Sequence, residues 1–190
     1  MLVGITGNLG SGKSELLRVF GRFGHRTYDA DKIVDELYKD AQVLGQIEAA
    51  FGQEVVKGNS IDRKVLAAKV FNSSLNLKRL NGIIHPLVRE RISKIPHYDG
   101  IVFVEVPLLY EAKMQGLFSK VILVKATHET CRRRALKRGF AEEDFERRVA
   151  SQFASDRVES AADFVLDSER TPGELGSKAE KIIEALRAWK

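Results

Sequence analysis

Residues Gly7-Asn8-Leu9-Gly10-Ser11-Gly12-Lys13-Ser14 fit the phosphate-cradling pattern G-x-x-x-x-G-K-[ST] without a gap. Gly10 and Gly12 let the backbone take positive φ and bend around a chain of phosphates without Cβ clashes. N–H groups of Ser11 and its neighbours, at the start of a following helix, would then point at the anion with the helix dipole behind them. Lys13 adds a mobile positive charge for the β- and γ-phosphates, and Ser14 offers a hydroxyl oxygen to Mg²⁺. The alternative is an ordinary glycine-rich turn with a surface lysine. The setting favours the cradle. An apolar run, Leu2 to Thr6, precedes the loop, and Leu16, Leu17, Val19, Phe20 and Phe23 follow at the spacing of one helical face.

Three further groups of residues carry possible chemistry. Glu105 closes the apolar run Ile101–Val104, a place where a P-loop protein often keeps an acid that reaches the nucleotide's Mg²⁺. It could equally be a strand-end carboxylate facing solvent. Asp29-Ala30-Asp31 puts two acids one residue apart. They point the same way while the chain is extended and diverge once a helix begins. Asp29 could cap that helix, or an acid here could orient an acceptor hydroxyl and take its proton. Between Arg132 and Arg148 lie seven basic residues, with Glu142, Glu143, Asp144 and Glu146 among them. Interleaved signs describe an ion-paired helix pair rather than a nucleic-acid tract. Gly139 breaks this stretch in two, as in a hinged hairpin over a phosphate loop. Arg138, beside the hinge, is the first candidate to neutralise a transferring phosphoryl group.

These residues need a scaffold, and the pattern alternates strand and helix. Strands are expected at Leu2–Thr6, Arg26–Asp29, Ile101–Val106, Val121–Val124 and Phe164–Leu166. Their continuous apolar runs indicate parallel strands buried on both faces. Thr171-Pro172-Gly173-Glu174 reads as the capped start of a last helix, in which Leu175, Ala179, Ile182, Ile183, Leu186 and Trp189 share a face, with Trp189 as a core or packing residue. Between the second and third strands lie roughly 70 residues, too many for one crossover. They read as helical throughout: one segment from about Ala30 to Phe51, another after Asp62 as N-cap, and a third from Leu77 to Ile95 with a kink or break at His85-Pro86.

Composition fits a compact protein of one core with an inserted subdomain. The chain has 190 residues, 44% hydrophobic and 30% charged. A single cysteine, Cys131, excludes an intrachain disulfide and points to a reducing compartment. No apolar run approaches membrane-span length and no signal-peptide pattern opens the chain, so a cytoplasmic protein is expected, with neither membrane nor nucleic acid as partner. The net charge of +5 suits a polyanionic small molecule without requiring one. A guanine-reading Asn/Thr-Lys-x-Asp element is absent; Val124-Lys125-Ala126-Thr127 lacks the acid.

Taken together the motifs resemble the dephospho-CoA kinase family of P-loop kinases. The resemblance runs nearly end to end: Gly4 through Ser14, Asp29-Ala30-Asp31, Asp62-Arg63 with Leu66 and Phe71, His85-Pro86, Val106-Pro107-Leu108-Leu109-Tyr110-Glu111, Arg134 with Arg138-Gly139, Gln152, and Ala162-Asp163. It implies an α/β fold with a five-stranded parallel sheet in the order 2-3-1-4-5. It also implies a helical CoA-binding insertion and a helical lid, which agrees with a core of about 1–30, 98–138 and 160–190, an insertion of about 31–97 and a lid of about 139–159. The implied reaction is ATP-dependent phosphorylation of the ribose 3′-hydroxyl of dephospho-CoA, giving CoA and ADP, with Mg²⁺. On this chain the resemblance makes Asp31 the catalytic base, Gly10, Ser11, Gly12, Lys13, Ser14 and Glu15 the ATP-phosphate loop, and Arg138 a lid arginine; Lys13 would also act in transfer, and Ser14 with Glu105 would place the metal. The nearest rival is a kinase of a nucleoside, nucleotide or sugar on the same fold. Four positions depart from the family's usual residues: Glu15 for Thr, Glu105 for Asp, Cys131 for Gln and Ser168 for Asn. Glu15 could still offer its N–H, but its carboxylate would repel phosphate unless turned away.

Overall fold

The structure, a computed structural model, describes residues 1–71, 73–96, 99–152, 158–169 and 172–189, with the side chains at 71, 172 and 173 excepted. It contains strands β1 (Leu2–Thr6), β2 (Arg26–Asp29), β3 (Val56–Lys57), β4 (Ser60–Ile61), β5 (Val102–Glu105), β6 (Lys120–Lys125) and β7 (Phe164–Asp167). Its helices are α1 (Lys13–Arg22), α2 (Ala30–Leu37), α3 (Ala41–Phe51), α4 (Arg63–Phe71), α5 (Ser74–Ser93), α6 (His128–Lys137), α7 (Glu142–Ala150) and α8 (Pro172–Ala188). The chain divides into two compact units, Met1–Asp29 with Pro96–Lys190, and Ala30–Ile95.

In the first unit five strands form a parallel sheet in the order β2-β5-β1-β6-β7. Counting only these five, the order is the expected 2-3-1-4-5; the labels differ because a short hairpin, β3–β4, intervenes in sequence. The three central runs read as doubly buried are so: all but Leu2 of β1, every residue of β5 and all but the ends of β6 are buried, whereas the edge strands β2 and β7 are only partly covered. Helix α1 presents Leu16, Val19 and Phe20 to the sheet, and α8 adds Leu175, Ala179, Ile183 and Leu186 to the same core. Phe20 stacks on Phe103 with ring centroids 3.6 Å apart. Two aromatics depart from the expected faces: Phe23, just past the end of α1, and Trp189 are exposed. Trp189 lies beyond the last turn that packs on the sheet, and its ring is covered by the Lys120 ammonium at 4.1 Å, a cation–π contact. The expected cap at Thr171 lies outside the described residues.

Register fixes what the sheet presents. Asp29 pairs with Glu105, Ile5 with Glu105, Thr6 with Leu123, and Lys125 with Asp167. The carboxyl ends of the strands therefore align, and the loop after β1 emerges beside Glu105 and Lys125. Open parallel sheets bind ligands along this edge.

The second unit corrects the sequence reading in three places. The stretch expected as one helix from Ala30 to Phe51 is two, because Asp40 starts a new one by accepting from the N–H groups of Gln42 and Val43. The segment before Asp62 is not helical: β3 and β4 pair antiparallel around Gly58-Asn59, with Gly58 at φ 61°. Helix α5 runs unbroken through Pro86. Leu80, Ile84, Val88 and Ile92 are buried along it, and this packing outweighs the hydrogen bond that proline cannot donate. Asp62 does cap α4 as expected, accepting from the N–H groups of Lys64 and Val65.

Candidate active site

The loop between β1 and α1 takes its shape from glycines that no other residue could replace without strain. Gly10 and Gly12 have φ of 83° and 99°. A Cβ on Gly10 would lie 2.4 Å from the Cys131 carbonyl oxygen, and one on Gly7 would lie 2.2 Å from that of Val124. The loop thus lies against the backbone of the end of β6 and the first turn of α6. Ser11 N–H donates to Asn8 O at 3.0 Å, closing the turn, and the Gly12 carbonyl accepts from both Glu15 and Leu16 at 3.1 Å, opening α1.

Lys13 is buried, and its Nζ donates to the carbonyls of Gly7 at 2.8 Å and Asn8 at 2.9 Å. The ammonium therefore sits over its own loop. Ser14 Oγ donates to Glu105 Oε1 at 3.1 Å, with Glu105 only 5% exposed. The solvent-facing alternative for Glu105 is thereby excluded. Two hard oxygen donors on adjoining elements fit Mg²⁺, which takes few protein ligands and completes its shell with water and phosphate oxygens. Among the described residues no group of three His, Cys, Asp or Glu side chains could hold a metal. The Ser11 hydroxyl is buried with no hydrogen-bond partner, a polar atom available to a ligand in the loop.

Glu15 turns its carboxylate away from the loop, onto Arg18 at 2.7 Å and Arg22 at 3.2 Å. Its N–H is engaged in the first turn of α1. Asp29 ends β2, and helix α2 starts at Ala30, so the extended alternation that would align Asp29 with Asp31 stops between them. Asp31 is exposed in the first turn of α2.

Arginine chemistry near the loop differs from the expectation. Arg138 is exposed at the C-terminal end of α6. Arg134, one turn earlier, is the guanidinium that reaches the loop: Nη1 donates to Gly10 O at 3.3 Å and to Ser168 Oγ at 2.9 Å, and Nη2 donates to Ser168 O at 2.8 Å. Ser168, buried just after β7, donates in turn to Ser11 O. Next to it Glu169 accepts from the N–H and hydroxyl of Thr127, the N-cap of α6, and these bonds hold its carboxyl below the usual range. Arginines 134 and 138 are four residues apart, so helical spacing alone could not decide between them.

Helices α6 and α7 form the hairpin expected around Gly139, which has φ 88°. Phe145 is fully buried against Cys131 and Ala135, with Leu9 of the loop packed on the same cluster. The interleaved charges pair as anticipated, Arg132 with Glu142 and Arg147 with Asp144. At the end of α7, Gln152 accepts from Leu9 N–H at 3.1 Å and donates to Pro107 O at 3.4 Å. Burial pushes the Cys131 thiol up, which leaves it a packing residue.

The family model for dephospho-CoA kinase matches residues 1–172. The chain belongs to the dephospho-CoA kinase family. The Aquifex aeolicus dephospho-CoA kinase is 35% identical over 190 residues, covering 97% of this chain and 96% of its own. That of Mycolicibacterium paratuberculosis is 36% identical over 187 residues, but the match spans 95% of this chain and only 46% of that longer one. A crystal structure from Thermus thermophilus superposes with a TM-score of 0.83 at 30% identity, covering 97% of this chain and 96% of that one. Set against the dephospho-CoA kinase pattern, Ser168 is an unusual residue in a central position, and Glu15 an unusual residue that faces elsewhere.

Proposed function

We propose that this chain transfers the γ-phosphoryl group of ATP to the ribose 3′-hydroxyl of dephospho-CoA, giving CoA and ADP. Family membership across the chain carries this reading. The phosphate loop, with Lys13, and the Ser14–Glu105 pair supply machinery suited to it.

The loop's backbone donors and Lys13 would hold the β- and γ-phosphates. To do so, the ammonium exchanges its bonds to Gly7 O and Asn8 O for phosphate oxygens. Ser14 and Glu105 would hold Mg²⁺. When bound, the metal would neutralise charge on the nucleotide phosphates. Asp31 is our candidate for the group that orients the acceptor oxygen and receives its proton late in transfer. The reading is supported by the acid's position in the sequence, two residues past the end of β2. A loose transition state asks for little base strength, so Asp31 acts chiefly by positioning.

Arg138, at the hinge of the α6–α7 hairpin, would approach the transferring phosphoryl group as that lid closes and excludes water. The helices of Ala30–Ile95 would bind the CoA portion of the acceptor. Tyr38 lies there under the Arg63 guanidinium, 5.4 Å from the ring centre, and Arg63 also pairs with Asp35.

ADP release with dephospho-CoA, measured beside nucleoside monophosphates and sugars, tests the proposal. We expect turnover with dephospho-CoA alone to exceed the ATPase background. Preferential turnover with any other acceptor would replace the proposal with the rival small-molecule kinase.

A further inference from the structure

We infer that Ser168 is a positioning residue of the phosphate loop: its hydroxyl, held by Arg134, orients a loop peptide so that an amide donor faces the nucleotide phosphates. The inference rests on the proposed reading of the loop as the ATP-phosphate site.

Ser168 Oγ sits between two partners, accepting from Arg134 Nη1 at 2.9 Å and donating to Ser11 O. The direction of each bond is fixed. A guanidinium can only donate and a carbonyl can only accept, so the hydroxyl hydrogen must lie on Ser11 O. That carbonyl belongs to the peptide joining Ser11 to Gly12. The peptide is trans, as are all those described, so its C=O and N–H point in opposite directions. Pinning Ser11 O to Ser168 therefore turns the Gly12 N–H away from Ser168. Gly12 is the N-cap of α1, where amide donors converge on an anion.

The brace is built into its surroundings. Ser168 is 8% exposed, and its own N–H donates to Lys125 O at 2.9 Å. Arg134 Nη2 holds Ser168 O at 2.8 Å, so the serine backbone is fixed from both sides. Arg134 also holds Gly10 O at 3.3 Å, which restrains the neighbouring peptide of the same loop. A Cβ on Gly12 would lie 3.1 Å from Ser168 Oγ and 3.2 Å from its Cβ, so the approach of hydroxyl to loop depends on glycine at 12. The site couples three elements: the loop, the end of β7 and helix α6.

This role separates phosphate binding from base binding. Ser168→Ala removes the hydroxyl and leaves the Arg134–Ser168 backbone bond in place. Its expected effect is a loss of about five- to tenfold in affinity for both ATP and ADP, the loss of one well-oriented hydrogen bond. Adenosine, which lacks phosphate, should bind the variant as it binds the parent, and the melting temperature should stay within about 2 °C. Calorimetric titration of parent and variant with ATP, ADP and adenosine reads all three. Unchanged ATP and ADP affinities in the variant would overturn the inference. An equal loss for adenosine would also overturn it, because Ser168 would then act at the base. A parent protein that binds neither ATP nor ADP would instead overturn the proposed function on which the inference stands.

Discussion

The phosphate loop and the helical unit Ala30–Ile95 are held by different kinds of interaction. The loop is fixed by close backbone approach and buried polar bonds: Gly10 against Cys131 O, Lys13 on two carbonyls, Ser14 on Glu105, and Arg134 with Ser168 on the loop's outward oxygens. The helical unit is fixed by an apolar interior that includes Ile47, Phe51, Leu66, Val70, Ile84 and Val88, with ion pairs such as Arg63–Asp35, Lys69–Glu54 and Lys94–Glu90 at the surface. Exposed pairs of this kind contribute about 0–1 kcal/mol each. Small side-chain changes should therefore disturb the structure of the loop far more than that of the helices. The helical unit should matter for the acceptor through individual polar side chains rather than through its frame.

Four substitutions can break or sharpen this contrast. The largest effect is expected at Asp31, on the first turn of the helical unit: Asp31→Asn should lower turnover by roughly 10²–10⁴-fold while ATP affinity changes little. Steady-state kinetics with calorimetry checks both, and near-normal turnover would remove Asp31 from the reaction. Lys13→Ala should cost about 10²–10³-fold in kcat/KM and also weaken ATP binding; intact ADP production would undo the loop assignment. Gly10→Ala forces a Cβ against Cys131 O at φ 83° and should destabilise the fold by about 2–4 kcal/mol, read by urea denaturation. A stability change under about 0.5 kcal/mol would show that the loop is not held by close approach. The smallest effect belongs to Glu15→Thr. Because Glu15 faces Arg18 and Arg22, ATP affinity should shift by less than about threefold. A large gain would mean that the carboxylate does reach the phosphates.

The same contrast explains what could be read from sequence. The loop was legible because its chemistry demands particular residues at fixed spacing; four of the five sheet strands were legible from their apolar runs, and β2, Arg-Thr-Tyr-Asp, from its place after the turn at Gly24. The hairpin at Gly58-Asn59 had a local signal, a glycine-asparagine turn between short β-prone segments, that the surrounding helical pattern concealed. At Pro86 the local rule predicted a break, and long-range packing of α5 overrode it. That Arg134, one turn before Arg138, bonds the loop depends on which turn of α6 faces it, a tertiary property. Ser168 stood out in sequence only as an unusual residue. Its partners, Ser11 and Arg134, are 157 and 34 residues away along the chain, so only the fold brings them together.

The central claim is the identity of the acceptor atom. Incubation of the protein with ATP, Mg²⁺ and dephospho-CoA, followed by phosphorus NMR of the purified product, tests it most directly. The account predicts a new phosphate monoester on the ribose 3′-oxygen, formed in step with ADP. ADP released without any phosphorylated acceptor, or a phosphate on another oxygen, would contradict it.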